Sequence, residues 1–223
     1  SSYLKDNRSS LDSPRGPGME EGLKILAEVR EQHGLPVTTD IHSAEEARTA
    51  ADVVDLVQIP AFLCRQTSLL LAAARTGVPI NVKKGQFISP AEMHNVIKKL
   101  GDSAGVMVTE RGTFFGYHRL VNDFVGLADM LEFGHPVCFD VTHSTQQPGQ
   151  LGVRSGGRPE RAPALARAAV VVGVHALFSE THPDCANALC DASSMLPLEQ
   201  LPSLLRQLKD LGEFVRCSGY DVR

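Results

Sequence analysis

The sequence alternates short apolar segments with helical segments, and this alternation constrains the fold more than any other feature. Six apolar segments are short enough to be buried strands, and each ends in polar or charged residues. Between them apolar residues recur at helical spacing, as at Met19, Leu23, Leu26 and Val29. Strands that alternate with helices predict a parallel sheet with helical crossovers. The predicted strands are residues 37–39, 53–57, 78–82, 106–109, 137–139 and 176–178.

We therefore expect an α/β fold of the (β/α)8 TIM barrel type, formed as a single domain by residues 1–223. Six clear strands and a stub at residues 1–3 are fewer than eight, so we expect that strand one and most of strand two are missing from the N-terminal side. An open doubly wound sheet is the alternative. It is disfavoured because no G-x-G-x-x-G motif follows a strand.

Composition argues against several classes of protein. The 223 residues carry a formal net charge of −4, which gives no bulk electrostatic case for nucleic-acid binding. No run of about 18 apolar residues occurs, so no membrane span is expected. There is no signal-peptide h-region, and the five cysteines form no C-x-x-C pair. These features favour a reduced, cytoplasmic protein.

Cations are concentrated at the predicted strand ends of this acidic protein. In a barrel of parallel strands the carboxyl ends converge on one mouth, where catalysis takes place. Arginine and lysine at that mouth predict a site for a small polyanion such as phosphate, because their donors match its oxygens. The cations at or near strand ends are Lys5, Arg8, Arg65, Lys83, Lys84 and Arg111.

His143, Glu180 and Asp191 form a second set near strand ends. A histidine with two carboxylates is a usual divalent metal site, and it is equally a usual metal-free acid–base set. Spacing in the sequence does not decide between the two. Lys83 offers a further chemistry, a Schiff base of the aldolase type. We rank it second, because bound anions would hold this lysine in its charged form.

Nine segments, spread in order over the whole chain, resemble the family of 3-deoxy-D-manno-octulosonate 8-phosphate synthases. That family condenses phosphoenolpyruvate with arabinose 5-phosphate, releases phosphate and supplies the sugar acid Kdo for lipopolysaccharide. The related DAHP synthases differ in carrying a lysine–proline–arginine motif at the first of these segments. The segments are Lys5-Asp-Asn-Arg-Ser-Ser10, Thr39-Asp-Ile-His42, Gln58-Ile-Pro-Ala-Phe-Leu-Cys-Arg-Gln-Thr67, Asn81-Val-Lys-Lys-Gly-Gln-Phe87, Thr109-Glu-Arg-Gly112, Phe115-Gly-Tyr117, Phe139-Asp-Val-Thr-His143, Ser155-Gly-Gly157 and Glu180-Thr-His-Pro183.

The resemblance implies a role for each candidate residue. Lys83 and Arg111 hold the carboxylate and phosphate of phosphoenolpyruvate, and the backbone around Ala61 helps. Lys5 and Gln58 line the same pocket. The residues implied for the sugar phosphate and its hydroxyls are Asn7, Arg8 and Ser9. Arg65 reaches a neighbouring subunit's site, because the family is tetrameric. The residues implied to act in catalysis are Lys83, Arg111, Asp40 and His143, with Asp40 orienting the sugar or a water and loop 144–158 closing over the site.

The same resemblance bears on the metal. The family has metal-dependent and metal-independent branches, and both carry His143, Glu180 and Asp191, while the discriminating residue stands on the missing first strand. Asp191-Ala-Ser193, Cys64 and Thr109-Glu110 resemble the metal-dependent branch, whereas Cys190 resembles the other. We expect the metal-dependent branch, with an ion of the Zn, Fe, Mn or Cd type and no organic cofactor. A barrel that only binds phosphorylated ligands is the non-catalytic alternative.

Overall fold

The computed structural model describes residues 3–6, 8, 10–101, 105–114, 118–152 and 154–219. Within this part of the chain, six strands make up the largest sheet. A helix follows each of them along the chain, so that the fold repeats a strand–helix unit. The strands are β1 (Thr38–Asp40), β2 (Leu56–Ile59), β3 (Ile80–Lys83), β4 (Val106–Glu110), β5 (Val137–Asp140) and β6 (Ala176–Phe178).

Glycine residues in the left-handed conformation end two of the helices, at Gly34 and Gly173. The first one ends at Gly34, which adopts φ 62° and donates its N–H to Arg30 O. Within the described residues, none of the helices is long and apolar enough to cross a membrane. The α-helices are α1 (Met19–His33), α2 (Glu46–Ala51), α3 (Thr67–Ala74), α4 (Met93–Leu100), α5 (Phe124–Leu131), α6 (Ala162–Val172) and α7 (Leu201–Cys217).

The chain divides into two compact units. The first unit comprises residues 1–85 and 92–108, and the second unit comprises residues 86–91 and 109–223. The boundary passes through β4, so each unit contains part of that strand. The strand order is β1-β2-β3-β4 in the first unit and β4-β5-β6 in the second. Pairing is parallel between β1 and β2, between β2 and β3, and between β5 and β6.

Helices cover the strands of each unit, which explains the near-continuous apolar segments in the sequence. All four residues of β3 and all four of β5 are buried. In the first unit α3 packs beside α2 and α4, and in the second unit α6 packs beside α5 and α7. Strands of a parallel sheet that is buried on both faces are apolar throughout rather than at alternate positions. The result is an α/β fold of repeated strand–helix units.

The six predicted strands are confirmed, with shifts at their ends. The second begins at Leu56 rather than Val53, because the N–H groups of Val53 and Val54 bond to Ala50 O and close α2. Residues 43–46 match the capping-box pattern, which predicts a helix start at Ser43, but that prediction is wrong because no side-chain cap forms there. The α2 helix begins at Glu46, whose carboxylate accepts a hydrogen bond from His42 N instead.

Other elements depart from the prediction. Ser89 followed by Pro90 predicts a helix start in the sequence, and the structure has a 3-10 turn at Pro90–Glu92 there, with α4 after it. The sequence patterns miss α5. They also miss the strand pairing of residues 146–147 with 156–157, which orders part of the predicted polar loop 144–158. In the predicted stub at residues 1–3, Tyr3 lies in a bend, and Ser1 and Ser2 lie outside the described residues.

Candidate functional site

In the first unit, polar side chains form a row across three neighbouring strands. Asp40 of β1 is in register with Gln58 of β2, which is in register with Asn81 of β3. Residues in register on adjacent strands face the same side of a sheet, and all three are buried. Asn81 Nδ2 donates to Gln58 Oε1 at 3.4 Å. The first unit thus has a buried row of one carboxylate and two amides on one side of its strands.

Asp40 is the charged member of this row and pairs with two bases. Its Oδ2 lies 3.2 Å from Lys5 Nζ and 3.5 Å from His42 Nε2. Burial raises the pKa of Asp40, but electrostatic interactions with Lys5 and His42 and the hydrogen bonds to the carboxylate outweigh it. The pKa of Asp40 is therefore lowered, and the group is an anion with fixed partners.

Tyr3 and Glu46 form hydrogen bonds next to the same end of β1. Tyr3 is buried, and its hydroxyl donates to Glu46 Oε2 at 2.8 Å. The same oxygen accepts from His42 N at 2.9 Å. Burial raises the pKa of Tyr3, and the hydrogen bond to Glu46 raises it further, so the hydroxyl stays a donor. The segment carrying Lys5 is in this way tied to the turn after Asp40.

The remaining predicted residues of the first unit lie in different surroundings. Lys83 is buried at the end of β3. Ala61 opens a 3-10 turn directly after β2, and Arg65 beyond it is exposed. Arg8 is half-buried. Asn7 and Ser9, which are predicted to bind the sugar phosphate, lie outside the described residues.

In the second unit, the structure brings His143, Glu180 and Asp191 together. One ligand atom from each lies within 4.8 Å of the others. His143 is positioned by Asp140, whose Oδ2 lies 2.8 Å from His143 Nδ1 and whose Oδ1 accepts from His143 N at 3.0 Å. The other ring nitrogen, Nε2, lies 3.7 Å from Glu180 Oε1. A carboxylate behind a histidine is the usual support of a metal-ligating imidazole, so the donor set fits a divalent ion.

Arg111 lies buried among acidic groups of the second unit. Burial lowers the pKa of Arg111, and the charges of Asp140, Asp191, Glu110 and Glu180 act against that shift. Its Nη2 donates to Gln146 Oε1 at 3.0 Å. Nε and Nη1 are buried without a hydrogen-bond partner in the described part of the chain. Buried donors of this kind suit an anionic ligand that supplies the missing oxygens.

Sequence reasoning overlooked two residues of this cluster, Asp140 and Gln146. Asp140 is the last residue of the fifth strand and comes directly after the predicted strand 137–139, so its position was a usable signal. Gln146 gives no such signal, because it comes after the 3-10 turn at His143–Thr145 and its partners are distant in sequence. A cavity of about 390 Å³ beside it is lined in part by Asn122, Ser144 and Gln147.

Comparison with known proteins shows which family this chain belongs to. The model of the DAHP synthetase I family matches residues 1–216. A 2-dehydro-3-deoxyphosphooctonate aldolase of Protochlamydia amoebophila is 51% identical over 221 residues, which cover 98% of this chain and 80% of that protein. Proteins of the same name from Azoarcus sp. and Nitratidesulfovibrio vulgaris are each 53% identical, over 223 and 213 residues. These alignments cover 98% and 95% of this chain, and 80% and 78% of the two relatives.

Proposed function

Because the chain belongs to the DAHP synthetase I family and is about half identical to proteins named 2-dehydro-3-deoxyphosphooctonate aldolase, we propose that it condenses phosphoenolpyruvate with D-arabinose 5-phosphate. The products are 3-deoxy-D-manno-octulosonate 8-phosphate and phosphate, and the reaction consumes one water. This is an aldol-type transferase reaction that supplies Kdo for lipopolysaccharide. The observation that carries the proposal is the buried Arg111 beside the acidic cluster. Within the described residues, its Nε and Nη1 have no hydrogen-bond acceptor.

Phosphoenolpyruvate is recognised through its two anionic groups. Arg111 and Lys83 bind its phosphate and carboxylate, with help from the backbone around Ala61. Lys5 and Gln58 contribute from the ends of their segments. Such fixed donors stabilise charge without reorganising during the reaction, which is the main source of electrostatic catalysis. Lys83 and Arg111 are therefore assigned catalytic as well as binding roles.

Arabinose 5-phosphate is recognised by the segment before α1. Arg8 binds the sugar phosphate, together with Asn7 and Ser9. Asp40, held by Lys5 and His42, orients the sugar hydroxyls. Arg65 is exposed after the 3-10 turn that follows β2, and it extends towards the site of a neighbouring subunit in a homotetramer.

The reaction forms two bonds at adjacent carbons. The enol carbon of phosphoenolpyruvate attacks the sugar aldehyde, whose oxygen takes up a proton and becomes a hydroxyl. Water adds to the neighbouring carbon, and the C–O bond to phosphate breaks. Arg111 and Lys83 stabilise the negative charge throughout, while the loop 144–158 closes over the site and excludes other water.

His143, Glu180 and Asp191 would hold a divalent ion of the Zn, Fe, Mn or Cd type, which is the metal-dependent form of the reaction. The chemistry that such an ion supplies when bound is polarisation of a carbonyl or positioning of a water. Asp140 orients His143 for this role. We assign no organic cofactor.

We further propose that the repeated strand–helix units belong to a (β/α)8 barrel and that residues 1–223 lie in a single domain. The six strands and the helix after each are the pattern on which this rests. A cytoplasmic location is part of the same proposal, since sugar phosphates and phosphoenolpyruvate are made there. The name shared by the relatives supports the condensation and gives no support to a Schiff base at Lys83 or to a non-catalytic barrel.

Phosphoenolpyruvate with heavy oxygen at the bridging position tests the reaction directly. Cleavage of the C–O bond places the label in the released phosphate, and only when arabinose 5-phosphate is also present. Label retained in the carbon product would overturn the proposed bond cleavage. Borohydride reduction during turnover separates the alternative, because a Schiff base would leave substrate attached to Lys83.

A further inference from the structure

Gln146 lies between two residues of opposite charge in the second unit. Its Oε1 accepts from Arg111 Nη2 at 3.0 Å, and its Nε2 donates to Asp191 Oδ1 at 2.9 Å. An amide has one accepting end and one donating end, and only this orientation serves both neighbours. We propose that Gln146 is a positioning residue that keeps Arg111 and Asp191 from pairing with each other; the inference rests on the proposed function of those two residues.

Arg111 and Asp191 would otherwise attract each other strongly. Both belong to one electrostatic cluster, and attraction between charges grows where water is excluded. A direct ion pair would occupy guanidinium donors that the anionic substrate needs and a carboxylate oxygen that the metal needs. In the described part of the chain Arg111 forms no ion pair with its acidic neighbours and bonds to Gln146 instead. The neutral amide of Gln146 thus hydrogen-bonds to both charged groups without neutralising either of them.

The backbone fixes both ends of this bridge. Gln146 pairs with Gly157 in the short strand ladder. A side chain at Gly157 would bring its Cβ to 2.3 Å from Ser193 O, so glycine permits the ladder to approach the turn that begins at Asp191. In that turn Asp191 adopts φ 48°, and its carbonyl accepts from Ser194 N at 2.9 Å. The two residues are therefore held at a distance that a glutamine side chain spans.

Gln146→Met tests the bridge, because methionine has a similar length and no hydrogen-bonding ends. Without the glutamine amide between them, Arg111 and Asp191 pair with each other. Arg111 is then less available to phosphoenolpyruvate, and Asp191 is less available to the metal ion. We expect manganese(II) affinity to fall about 10- to 100-fold, as for loss of a group that orients a metal ligand. We expect the affinity of the metal-free protein for phosphoenolpyruvate to fall about tenfold.

Gln146→Glu provides a second test that does not depend on the first variant folding. The glutamate still accepts a hydrogen bond from Arg111, but its negative charge neutralises the positive charge of Arg111. Phosphoenolpyruvate should therefore bind more weakly to Gln146→Glu than to Gln146→Met. The matched control is Gln207→Met, on an exposed position of α7. It should bind manganese(II) and phosphoenolpyruvate as wild type does.

Isothermal titration of each protein with manganese(II) alone and with phosphoenolpyruvate alone gives both affinities without measuring turnover. Weaker binding of both ligands by Gln146→Met, but not by Gln207→Met, supports the spacer role. Weakening of only one ligand, or of neither, overturns it while wild-type binding still upholds the proposed function. Wild-type protein that binds neither ligand would overturn the proposed function, and the inference with it.

Discussion

The first and second units both place charged groups near strand ends, but these groups differ in how fully they are hydrogen-bonded. In the first unit Asp40 has Lys5 and His42 as fixed partners, and hydrogen bonds from Tyr3 and His42 converge on Glu46. In the second unit Arg111 lies among four acidic groups, yet Nε and Nη1 lack partners within the described residues.

This contrast separates orienting groups from binding groups. A buried donor without an acceptor destabilises the folded state, so it is retained where a ligand completes it. A carboxylate with fixed partners is stable without ligand and offers a rigid surface. We therefore expect substitutions at Arg111 and its acidic neighbours to affect ligands most, and substitutions at Asp40, Glu46 and their partners to affect mainly stability.

The largest effect is expected for Arg111→Met. Removing the buried guanidinium takes away donors that stabilise the charge of phosphoenolpyruvate, so kcat/KM should fall roughly 100- to 1,000-fold. Steady-state phosphate release measures this, and circular dichroism confirms folding. Arg167→Met, on an exposed position of α6, is the matched control. A kcat/KM equal to that of the control would remove the contrast between the units.

Asp140→Asn should act on the metal rather than on the anion. Asp140 Oδ2 lies 2.8 Å from His143 Nδ1, and the amide weakens the support of that imidazole. We expect metal affinity to fall about 10- to 100-fold, measured by equilibrium dialysis. Asp129→Asn, on an exposed position of α5, should change nothing. Unaltered metal affinity in Asp140→Asn would show that His143 is oriented by other contacts.

Lys5→Met should affect folding in a way that depends on pH. The pKa of Asp40 is lowered, so its contribution to stability is present above the ordinary carboxyl pKa of about 4 and is lost as pH falls through the folded value. Without Lys5, less opposes the effect of burial on the pKa of Asp40, and the carboxylate, left with His42 alone beside it, destabilises the protein by about 1–3 kcal/mol near neutrality.

Urea unfolding at neutral pH and at a pH near the ordinary carboxyl value measures this effect. The deficit of Lys5→Met should shrink in acid, because a protonated Asp40 needs no cation. Lys24→Met, on an exposed position of α1, controls for loss of a surface charge. A deficit that is the same at both pH values would mean that Lys5 contributes packing rather than charge.

The smallest effect is expected for Tyr3→Phe. It removes one hydrogen bond to Glu46, while His42 N still donates to the same carboxylate oxygen. The free energy of unfolding should fall by about 1 kcal/mol. A double-mutant cycle with Glu46→Ala isolates the bond. Equal losses from Tyr3→Phe in both backgrounds would contradict a role for this hydrogen bond.

The sequence predicted the parts of the molecule that follow from periodicity. Short apolar segments located all six strands, and polar residues after them located Asp40, Lys83, Arg111 and His143. The strand predictions succeed because burial on both faces of a parallel sheet imposes a local pattern, while the assignment of those four residues to the site stays a prediction. The α5 helix was missed, because its eight residues are mostly apolar and so short an apolar segment does not distinguish a buried helix from a buried strand.

Contacts between distant residues were beyond the reach of local patterns. Tyr3 meets Glu46 across 43 positions, and Gln146 meets Asp191 across 45. The proximity of the three metal-ligand candidates likewise depends on the fold. Sequence spacing left open whether they form a site, and the structure brings their ligand atoms together.

Phosphate release from phosphoenolpyruvate and arabinose 5-phosphate, before and after chelation with metal added back, tests the central claim most directly. We predict phosphate release that requires both substrates, is lost when the chelator is added and returns when a divalent ion is added back. Activity unaffected by the chelator would contradict the metal role of His143, Glu180 and Asp191. No phosphate release under any of these conditions would contradict the proposed condensation itself.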